Sequence, residues 1–363
     1  MNYFLIAGEA SGDMHAAALI AQIKQRDPEA RFTGLGGSRM AAAECRLYQD
    51  YSRMAYMGFA AVLQNMGQIR RNFRIAKEAL LQEQPEVLIL VDYPSFNLRM
   101  AAFCRKHLPD TKIYYYIPPK VWAWKRRRIH RIARLCDEVL GIFPFEPAFY
   151  QRYGYRCTYV GNPTAEQLAH IPAVAQEKMI AVLPGSRRSE ITHCLPRMLE
   201  AARQFPGYTI TVCVAPGIEE AFYAPYLCPG ETLTRDTYSA LQRALAAIVN
   251  SGTATLEAAL LRCPQVAVYH LAFSRLIGLI RWAQPMIFSI PYFTLVNIIS
   301  GKEVIRELIA NDFKTEKVSA ELERLLTDEA YRKEMLASYE HLSALLGNQP
   351  ASATAADIIT SKR

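Results

Sequence analysis

The sequence predicts an α/β protein with two facing Rossmann-like domains, each built on a parallel sheet, and a cleft between them. Its 363 residues suit two domains better than one. Short apolar runs alternate with helix-length segments, which is typical of parallel sheets covered by helices on both faces. The alternation restarts after a linker-like stretch at 170–176, so the second half is expected to form a sheet of its own.

The predicted elements follow this alternation along the chain. In the first half we expect strands at 2–7, 87–91, 112–117 and 138–143 and a helix at 15–25. In the second half we expect strands at 179–183, 208–214, 246–250 and 265–269. The domains are therefore placed at 1–170 and 171–345, followed by a tail at 346–363. From Gln349 onward the tail is small and polar, which is typical of disorder, and packing back onto the first domain is the alternative.

The charge is unevenly distributed between the two halves. The net charge is +8, and residues 1–170 carry all of it, with 23 Lys and Arg against 15 Asp and Glu. A basic half-molecule favours an anionic partner, which leaves nucleic acid, an anionic membrane or a phosphorylated substrate. The eight cysteines are scattered without a C-x-x-C pair, which indicates reduced thiols of a cytoplasmic protein.

One uncharged segment, 282–301, is long enough to cross a bilayer. It contains Pro285 and Pro291, which would break a spanning helix twice. We therefore expect buried core and loops there. No secretory signal peptide is indicated at the start of the sequence.

Two motifs of the first half follow predicted strands, where ligands bind in sheets of this kind. The first is G-E-A-S-G-D at 8–13, in which Ser11 is expected to cap the next helix and leave backbone N–H groups open to an anion. The second is V-D-Y-P-S-F-N at 91–97, in which Asp92 follows an all-apolar strand. Partial desolvation there suits a general base, and a simple turn or helix cap is the alternative.

Two further segments of the first half are basic. Residues 118–135 combine seven Lys and Arg with Trp122 and Trp124, which suits nucleic acid, an anionic lipid surface or a solvated helix face. Residues 57–74 are apolar at first and then basic at Arg70, Arg71 and Arg74. A helix dipping into a membrane surface and a buried helix with a basic end both fit that pattern.

Two motifs of the second half have the strand, glycine turn and helix pattern of phosphate-binding loops. L-P-G-S-R-R-S-E-I at 183–191 brings Ser186 and Arg187 to a helix start, which suits a diphosphate. N-S-G-T-A-T-L-E at 250–257 places Glu257 one turn into a helix, where it can accept hydrogen bonds from a ribose diol or compensate the helix dipole.

Taken together and in this order, the motifs resemble those of the lipid-A-disaccharide synthase family. Further matching pieces are G-L-G-G at 34–37, Y-I-P-P-K-V-W-A-W at 116–124 and the region of Asn297. The resemblance implies a GT-B fold and an inverting transfer from UDP-2,3-diacylglucosamine to 2,3-diacylglucosamine 1-phosphate. The expected products are a β-1,6-linked disaccharide 1-phosphate and UDP.

The resemblance also implies a set of site residues. Asp92 is expected to be the catalytic base, and the acceptor is expected to contact Glu9, Ser11, Gly12, Asp13 and Asn97. The UDP donor is expected at Ser186, Arg187, Gly252, Thr253, Glu257 and Asn297. The charge distribution and the apolar-then-basic pattern of 57–74, rather than the resemblance, place the membrane at Val62, Leu63, Met66, Arg70, Arg71 and Arg74. No cofactor and no metal site are expected, since the UDP-sugar is a substrate and no metal-ligand spacing occurs.

The expected partners are the acylated glucosamine substrates and the anionic inner-membrane surface, with no nucleic acid and with a homodimer left open. The expected location is cytoplasmic and peripheral to the inner membrane. Two alternatives remain at this point. One is another GT-B UDP-sugar enzyme, such as a peptidoglycan glucosaminyltransferase or an epimerase, and the other is a nucleic-acid-binding protein built around 118–135.

Overall fold

The computed structural model describes residues 1–51, 66–123, 125–172, 174–270 and 291–361. The chain divides into two compact units. The first unit contains residues 1–166 together with 348–363, and the second contains residues 167–347. Each unit is an α/β layer structure with its own parallel sheet, as the sequence predicts.

The described residues of the first unit form a seven-stranded parallel sheet. Its strands in chain order are β1 (Asn2–Ala7), β2 (Arg31–Gly36), β3 (Arg46–Asp50), β4 (Val87–Val91), β5 (Lys112–Tyr116), β6 (Glu138–Gly141) and β7 (Thr158–Tyr159). Their spatial order is β3-β2-β1-β4-β5-β6-β7. The order reverses between β1 and β4, which lie side by side with Ala7 opposite Val91.

The described residues of the second unit form a six-stranded parallel sheet. Its strands are β8 (Glu177–Leu183), β9 (Thr209–Cys213), β10 (Thr232–Thr234), β11 (Ala244–Asn250), β12 (Gln265–Tyr269) and β13 (Glu307–Ile309). Their spatial order is β10-β9-β8-β11-β12-β13, so the reversal lies between β8 and β11. The two sheets therefore repeat one topology.

Helices connect the strands of each sheet, as right-handed parallel crossovers require. In the first unit they are α1 (Ala10–Arg26), α2 (Ser38–Ala42), α3 (Met66–Glu83), α4 (Pro94–His107), α5 (Arg128–Leu135), α6 (Glu146–Gln151) and α7 (Pro163–Leu168), which runs across the unit boundary. Those of the second unit are α8 (Arg188–Ala202), α9 (Thr237–Arg243), α10 (Thr253–Leu260), α11 (Leu295–Ser300), α12 (Thr315–Thr327) and α13 (Glu329–Leu346). The last helix, α14 (Ala351–Ser361), belongs to the first unit.

Burial explains why the central strands of the first sheet, β1 and β4, are apolar. Side chains alternate along β1, so that Phe4 and Ile6 join one core cluster while Tyr3 and Leu5 join another. The same alternation divides β4 between the two clusters, and every residue of that strand is buried. Both faces of the sheet are therefore covered, which leaves only the strand ends open for ligands.

The C-terminal residues are folded, and the expectation of disorder from Gln349 onward is wrong. Helix α14 packs on α1, with Ala355, Ala356 and Ile359 in the core cluster of the first unit. The Ser352 hydroxyl donates to Glu166 over 2.7 Å. Composition concealed this helix because its apolar stripe consists mainly of alanines.

The first part of the uncharged segment, residues 282–290, cannot be compared with its prediction because it lies outside the described part of the chain. Its end forms the six-residue helix α11. Among the residues that are described, no helix has the length and apolarity needed to cross a bilayer.

Candidate active site

The predicted motifs lie at the two points where the strand order reverses. In the first unit the loops after β1 and β4 carry the motifs at 8–13 and 91–97. In the second unit the loops after β8 and β11 carry those at 183–191 and 250–257. In open parallel sheets this reversal opens a crevice at the carboxyl ends of the strands, and ligands bind there.

The two motifs of the first unit touch through Gly8 and Tyr93. A Cβ atom added to Gly8 would lie 2.3 Å from carbons of the Tyr93 ring, so only glycine permits this approach. Asp92 and Tyr93 both have left-handed backbone conformations, with φ of 45° and 44°. Such conformations are strained for residues other than glycine and occur where the surrounding structure holds a functional group in place.

Asp92 sits partly buried on this loop. Burial raises the pKa of its carboxyl group above the usual value, while the Lys120 ammonium and the Tyr93 N–H group oppose that rise. Its backbone carbonyl accepts a hydrogen bond from the Tyr115 hydroxyl over 2.8 Å. A positioned carboxylate of raised basicity at a ligand crevice can act as a general base.

Asn97 holds the Asp92 loop through hydrogen bonds to its backbone. Its side chain is completely buried, and its Nδ2 atom donates to the carbonyls of Asp92 over 2.7 Å and Val91 over 3.2 Å. The amide NH₂ group is bound to backbone while its Oδ1 atom has no hydrogen-bond partner among the described residues, so an acceptor contact at Asn97 stays a prediction. Asn97 is placed to position Asp92.

The first motif differs from its prediction in how helix α1 begins. The N-cap residue is Glu9, and Ser11 lies exposed within the first turn, so Ser11 does not cap the helix. Gly12 is buried, where an added Cβ would contact Ala7 at 3.5 Å. Of the polar residues expected to contact the acceptor, Glu9 and Ser11 keep accessible surface.

Asp13 has a structural role in this fold, and an acceptor contact at this residue stays a prediction. Only 2% of it is exposed. Its carboxylate accepts hydrogen bonds from the N–H groups of Gly37 (2.7 Å), Arg39 (3.1 Å) and Met40 (3.1 Å). It thus binds the N-terminus of α2 and joins the motif at 8–13 to the glycines at 34–37.

Sequence reasoning missed a buried carboxylate, Glu146, that lies beyond the end of β6. Its Oε2 atom accepts from the N–H groups of Ile142 (2.8 Å) and Phe143 (3.0 Å), and its Oε1 atom accepts from the Trp122 indole (3.1 Å). Burial raises the pKa of Glu146 to about 7, against the effect of these donors and of Lys120. Its position just after an apolar strand was the available signal.

The basic segments are only partly the exposed surfaces that their patterns suggested. Trp122 is 3% exposed, so it is a core residue and no part of a lipid or nucleic-acid surface. Arg70, Arg71 and Arg74 are exposed on α3, and Arg74 lies 3.8 Å from Glu78. Val62, Leu63 and Trp124 lie outside the described residues, as does the side chain of Met66.

The two motifs of the second unit also meet at a glycine. Gly185 has φ of +113°, and an added Cβ would lie 2.4 Å from Nδ2 of Asn250 at the end of β11. Ser186 and Arg187 are exposed at the start of α8. Their backbone N–H groups donate to the carboxylate of Glu190 over 3.0 and 3.3 Å, and the Arg187 guanidinium donates to it over 3.0 Å.

The second of these loops presents Gly252, Thr253 and Glu257. Gly252 is the N-cap residue of α10, and both Gly252 and Thr253 are exposed. Glu257 is partly buried on the next turn, and burial raises the pKa of its carboxyl group. This arrangement offers N–H groups to an anion and a carboxylate to hydroxyl donors.

Asn297 lies inside the fold of the second unit, and its expected donor contact stays a prediction. It is completely buried, and its Oδ1 atom accepts from the N–H groups of Val304 (2.8 Å) and Ile305 (3.0 Å). Its Nδ2 atom donates to the Ile305 carbonyl and to Glu307, each over 2.9 Å. These four contacts close the loop before β13.

Comparison with known proteins matches the whole chain to one family. The family model described as lipid-A-disaccharide synthetase matches residues 3–359. The lipid-A-disaccharide synthase of Geobacter sulfurreducens is 34% identical over 98% of this chain and 95% of its own length. That of Trichlorobacter lovleyi is 35% identical over 98% and 96%.

Solved structures of low sequence identity share the fold. The calicheamicin glycosyltransferase CalG4 has a TM-score of 0.64 at 15% identity and covers 99% of this chain and 97% of its own. The UDP-GlcNAc 2-epimerase of Neisseria meningitidis bound to UDP-GlcNAc has a TM-score of 0.63 at 10% identity, covering 100% and 99%. With the two parallel sheets, this likeness shows the GT-B fold.

Proposed function

The chain belongs to the lipid-A-disaccharide synthase family, and on that premise we propose how its own residues carry out the reaction. The enzyme condenses UDP-2,3-diacylglucosamine with 2,3-diacylglucosamine 1-phosphate. The products are the β-1,6-linked lipid A disaccharide 1-phosphate and UDP. Asp92 is the general base for the acceptor, and the second unit binds the UDP portion of the donor.

The position of Asp92 is the observation that carries this proposal. Its carboxylate follows a fully buried strand, on a strained loop that Asn97 and Tyr115 hold in place. Burial makes this carboxylate more basic than one in water, which favours removal of the proton from the acceptor 6-hydroxyl. That oxygen then attacks the anomeric carbon from the face opposite UDP, so a single displacement inverts the configuration.

The UDP leaving group is assigned to the loops at 184–187 and 251–253. The exposed start of α10 and the Arg187 guanidinium, which also pairs with Glu190, supply positive potential for the diphosphate as its charge develops. Glu257 is assigned to the ribose hydroxyls. In the described residues no hydrogen bond or ion pair engages its carboxylate.

Turnover of Asp92→Asn tests the catalytic role. Both acylated sugars are supplied, and UDP and disaccharide are quantified. The amide keeps the shape of the side chain and cannot accept the proton, so kcat should fall by roughly 10²–10⁴-fold. Asp110→Asn, at an exposed turn of the same unit, is the matched control. Near-normal turnover by folded Asp92→Asn would remove the residue from this role.

We further propose that the first unit docks peripherally on the anionic cytoplasmic face of the inner membrane. Helix α3 buries Asn72, Ala76 and Leu80 on one face, while Arg70 and Arg71 are exposed. Each Lys or Arg near an anionic leaflet contributes about 1 kcal/mol. Docking would let the acyl chains reach the enzyme without crossing bulk water.

Sedimentation with vesicles tests docking. Binding to anionic vesicles should exceed binding to neutral vesicles and should weaken in high salt. The variant Arg70→Ser/Arg71→Ser/Arg74→Ser should bind less than Lys178→Ser/Lys302→Ser/Lys333→Ser, which removes the same charge from exposed positions of the second unit. Equal binding by these two variants, or equal binding to both vesicle types, would contradict electrostatic docking.

A further inference from the structure

The loop after β5 runs beside the Asp92 loop. Strands β4 and β5 are paired with Val91 opposite Tyr116, so Asp92 and Ile117 leave the sheet as neighbours. The Asp92 N–H group donates to the Tyr116 carbonyl over 3.4 Å. Residues 117–120 therefore extend along the same edge of the sheet as the proposed base.

Glu146 fixes this loop through Trp122. The Trp122 indole donates to the buried carboxylate over 3.1 Å, and the Ala123 N–H group donates to the Lys120 carbonyl over 3.0 Å. Pro118 and Pro119 restrict the backbone before the turn. Lys120 therefore lies on a segment, 117–123, that buried contacts of Trp122 and Glu146 hold in place.

Lys120 stands near two carboxylates without pairing closely with either. Asp92 and Glu146 are close enough to raise the pKa of its ammonium, against the larger lowering by burial. Among the described residues no carboxylate oxygen lies within 4.0 Å of Nζ, and part of the side chain remains exposed. A cation held in this way keeps its hydrogen bonds available for an incoming anion.

We propose that Lys120 binds the phosphate group of the acceptor and so selects phosphorylated acceptors. This rests on the proposed role of Asp92, because the hydroxyl that Asp92 deprotonates and the phosphate belong to one sugar. The Lys120 segment and the Asp92 loop leave neighbouring strands of the sheet, so one sugar can contact both. Lysine suits the task, since it binds phosphate as a compact point charge. The phosphate also supplies the counter-charge that neither carboxylate gives at close range.

The test compares two acceptors that differ only in the phosphate, 2,3-diacylglucosamine 1-phosphate and 2,3-diacylglucosamine. Wild type, Lys120→Met and Lys120→Gln are assayed for kcat/KM with each, above the pH at which Asp92 titrates in each protein. Lys112→Met is the control, because Lys112 is an exposed lysine at the other end of the same strand.

Loss of the charge should lower kcat/KM for the phosphorylated acceptor by about 10- to 100-fold, the usual cost of one charge-assisted hydrogen bond. The loss with the unphosphorylated acceptor should be much smaller, because it reports only the effect of Lys120 on Asp92, and Lys120→Arg should recover much of the selectivity. Equal losses with both acceptors would overturn the proposal and assign Lys120 to Asp92 alone. No loss with either would overturn it too.

The same assay separates this proposal from the proposed function. If the enzyme releases UDP with both acceptors and Asp92→Asn is inactive, the proposed function stands whatever Lys120 does. If Asp92→Asn turns over normally, the premise fails even where Lys120 controls selectivity. Direct binding of the phosphorylated acceptor in the absence of donor then shows whether Lys120 holds phosphate independently of the base.

Discussion

Replacing Asp13 by asparagine should destabilise the first unit without weakening acceptor binding. The carboxylate accepts three backbone N–H groups at the start of α2 and is 2% exposed. In the Asp13→Asn variant the remaining side-chain oxygen can still accept from Gly37 and Met40, which both donate to Oδ1 in the wild type. The new NH₂ group would face the Arg39 N–H group, so that donor would meet another donor.

The expected magnitude follows from these contacts. One hydrogen bond to a charged group is lost, at about 1.5–3 kcal/mol. The negative charge at the helix N-terminus is lost as well, at about 0.3–1 kcal/mol. We therefore expect a loss of about 2–4 kcal/mol, which is a large fraction of the stability of a typical domain.

Hydrogen exchange measured against urea concentration gives the free energy of unfolding for each unit separately, which matters because the chain has two. Peptides from β1 and β2 report the first unit. Asp110→Asn, at an exposed turn, should change stability by less than about 0.5 kcal/mol. If Asp13→Asn is as stable as that control and its acceptor KM rises, then Asp13 is a ligand and the structural argument is wrong.

Two further predictions concern Glu146 and Arg187. Burial raises the pKa of Glu146 from 4.5 to about 7, so its contribution to stability is present below pH 4.5 and is lost as the pH rises to about 7. The free energy of unfolding of wild type minus that of Glu146→Gln, measured with urea, should fall by about 3 kcal/mol across this pH window. A difference that does not depend on pH would contradict the prediction. Arg187→Ala should weaken UDP binding in calorimetry by about 10- to 100-fold. Arg243→Ala, which breaks an exposed ion pair at the start of β8, is its control, and equal UDP affinities would exclude Arg187 from the diphosphate site.

The sequence predicted eight of the thirteen strands that the structure describes, and the position of Asp92, because these depend on local pattern; β2, β3, β7, β10 and β13 were missed. Apolar runs such as 87–91 have one stable environment, the inside of a sheet, and a polar residue directly after such a run must lie at its edge. Local pattern did not predict α14, because its alanine stripe is weakly hydrophobic and the helix it packs on, α1, is distant in sequence.

The polar side chains of the motifs were harder to predict for a physical reason. A sequence shows that Asp13, Asn97 and Asn297 follow turns, but it does not show which backbone groups lie within their reach. In the fold all three are buried and bonded to main-chain atoms. Polar residues of a family motif can therefore serve to hold loops rather than to hold ligands, and only the tertiary contacts distinguish the two roles.

The two units share one kind of contact between the loops that carry their motifs. In the first unit Gly8 directly follows β1, and the Tyr93 ring from the loop after β4 packs against it. In the second unit Gly185 lies two residues after β8, and the Asn250 side chain at the end of β11 packs against it. A Cβ at either glycine would lie within 2.4 Å of that side chain, so in each unit the two loops are in close contact. The base loop is thereby tied to the motif at 8–13, and the loop of Ser186 and Arg187 is tied to the start of α10. Residues assigned to one ligand are in this way held by contacts between loops that are far apart in sequence, which is the pre-organisation that transition-state stabilisation requires.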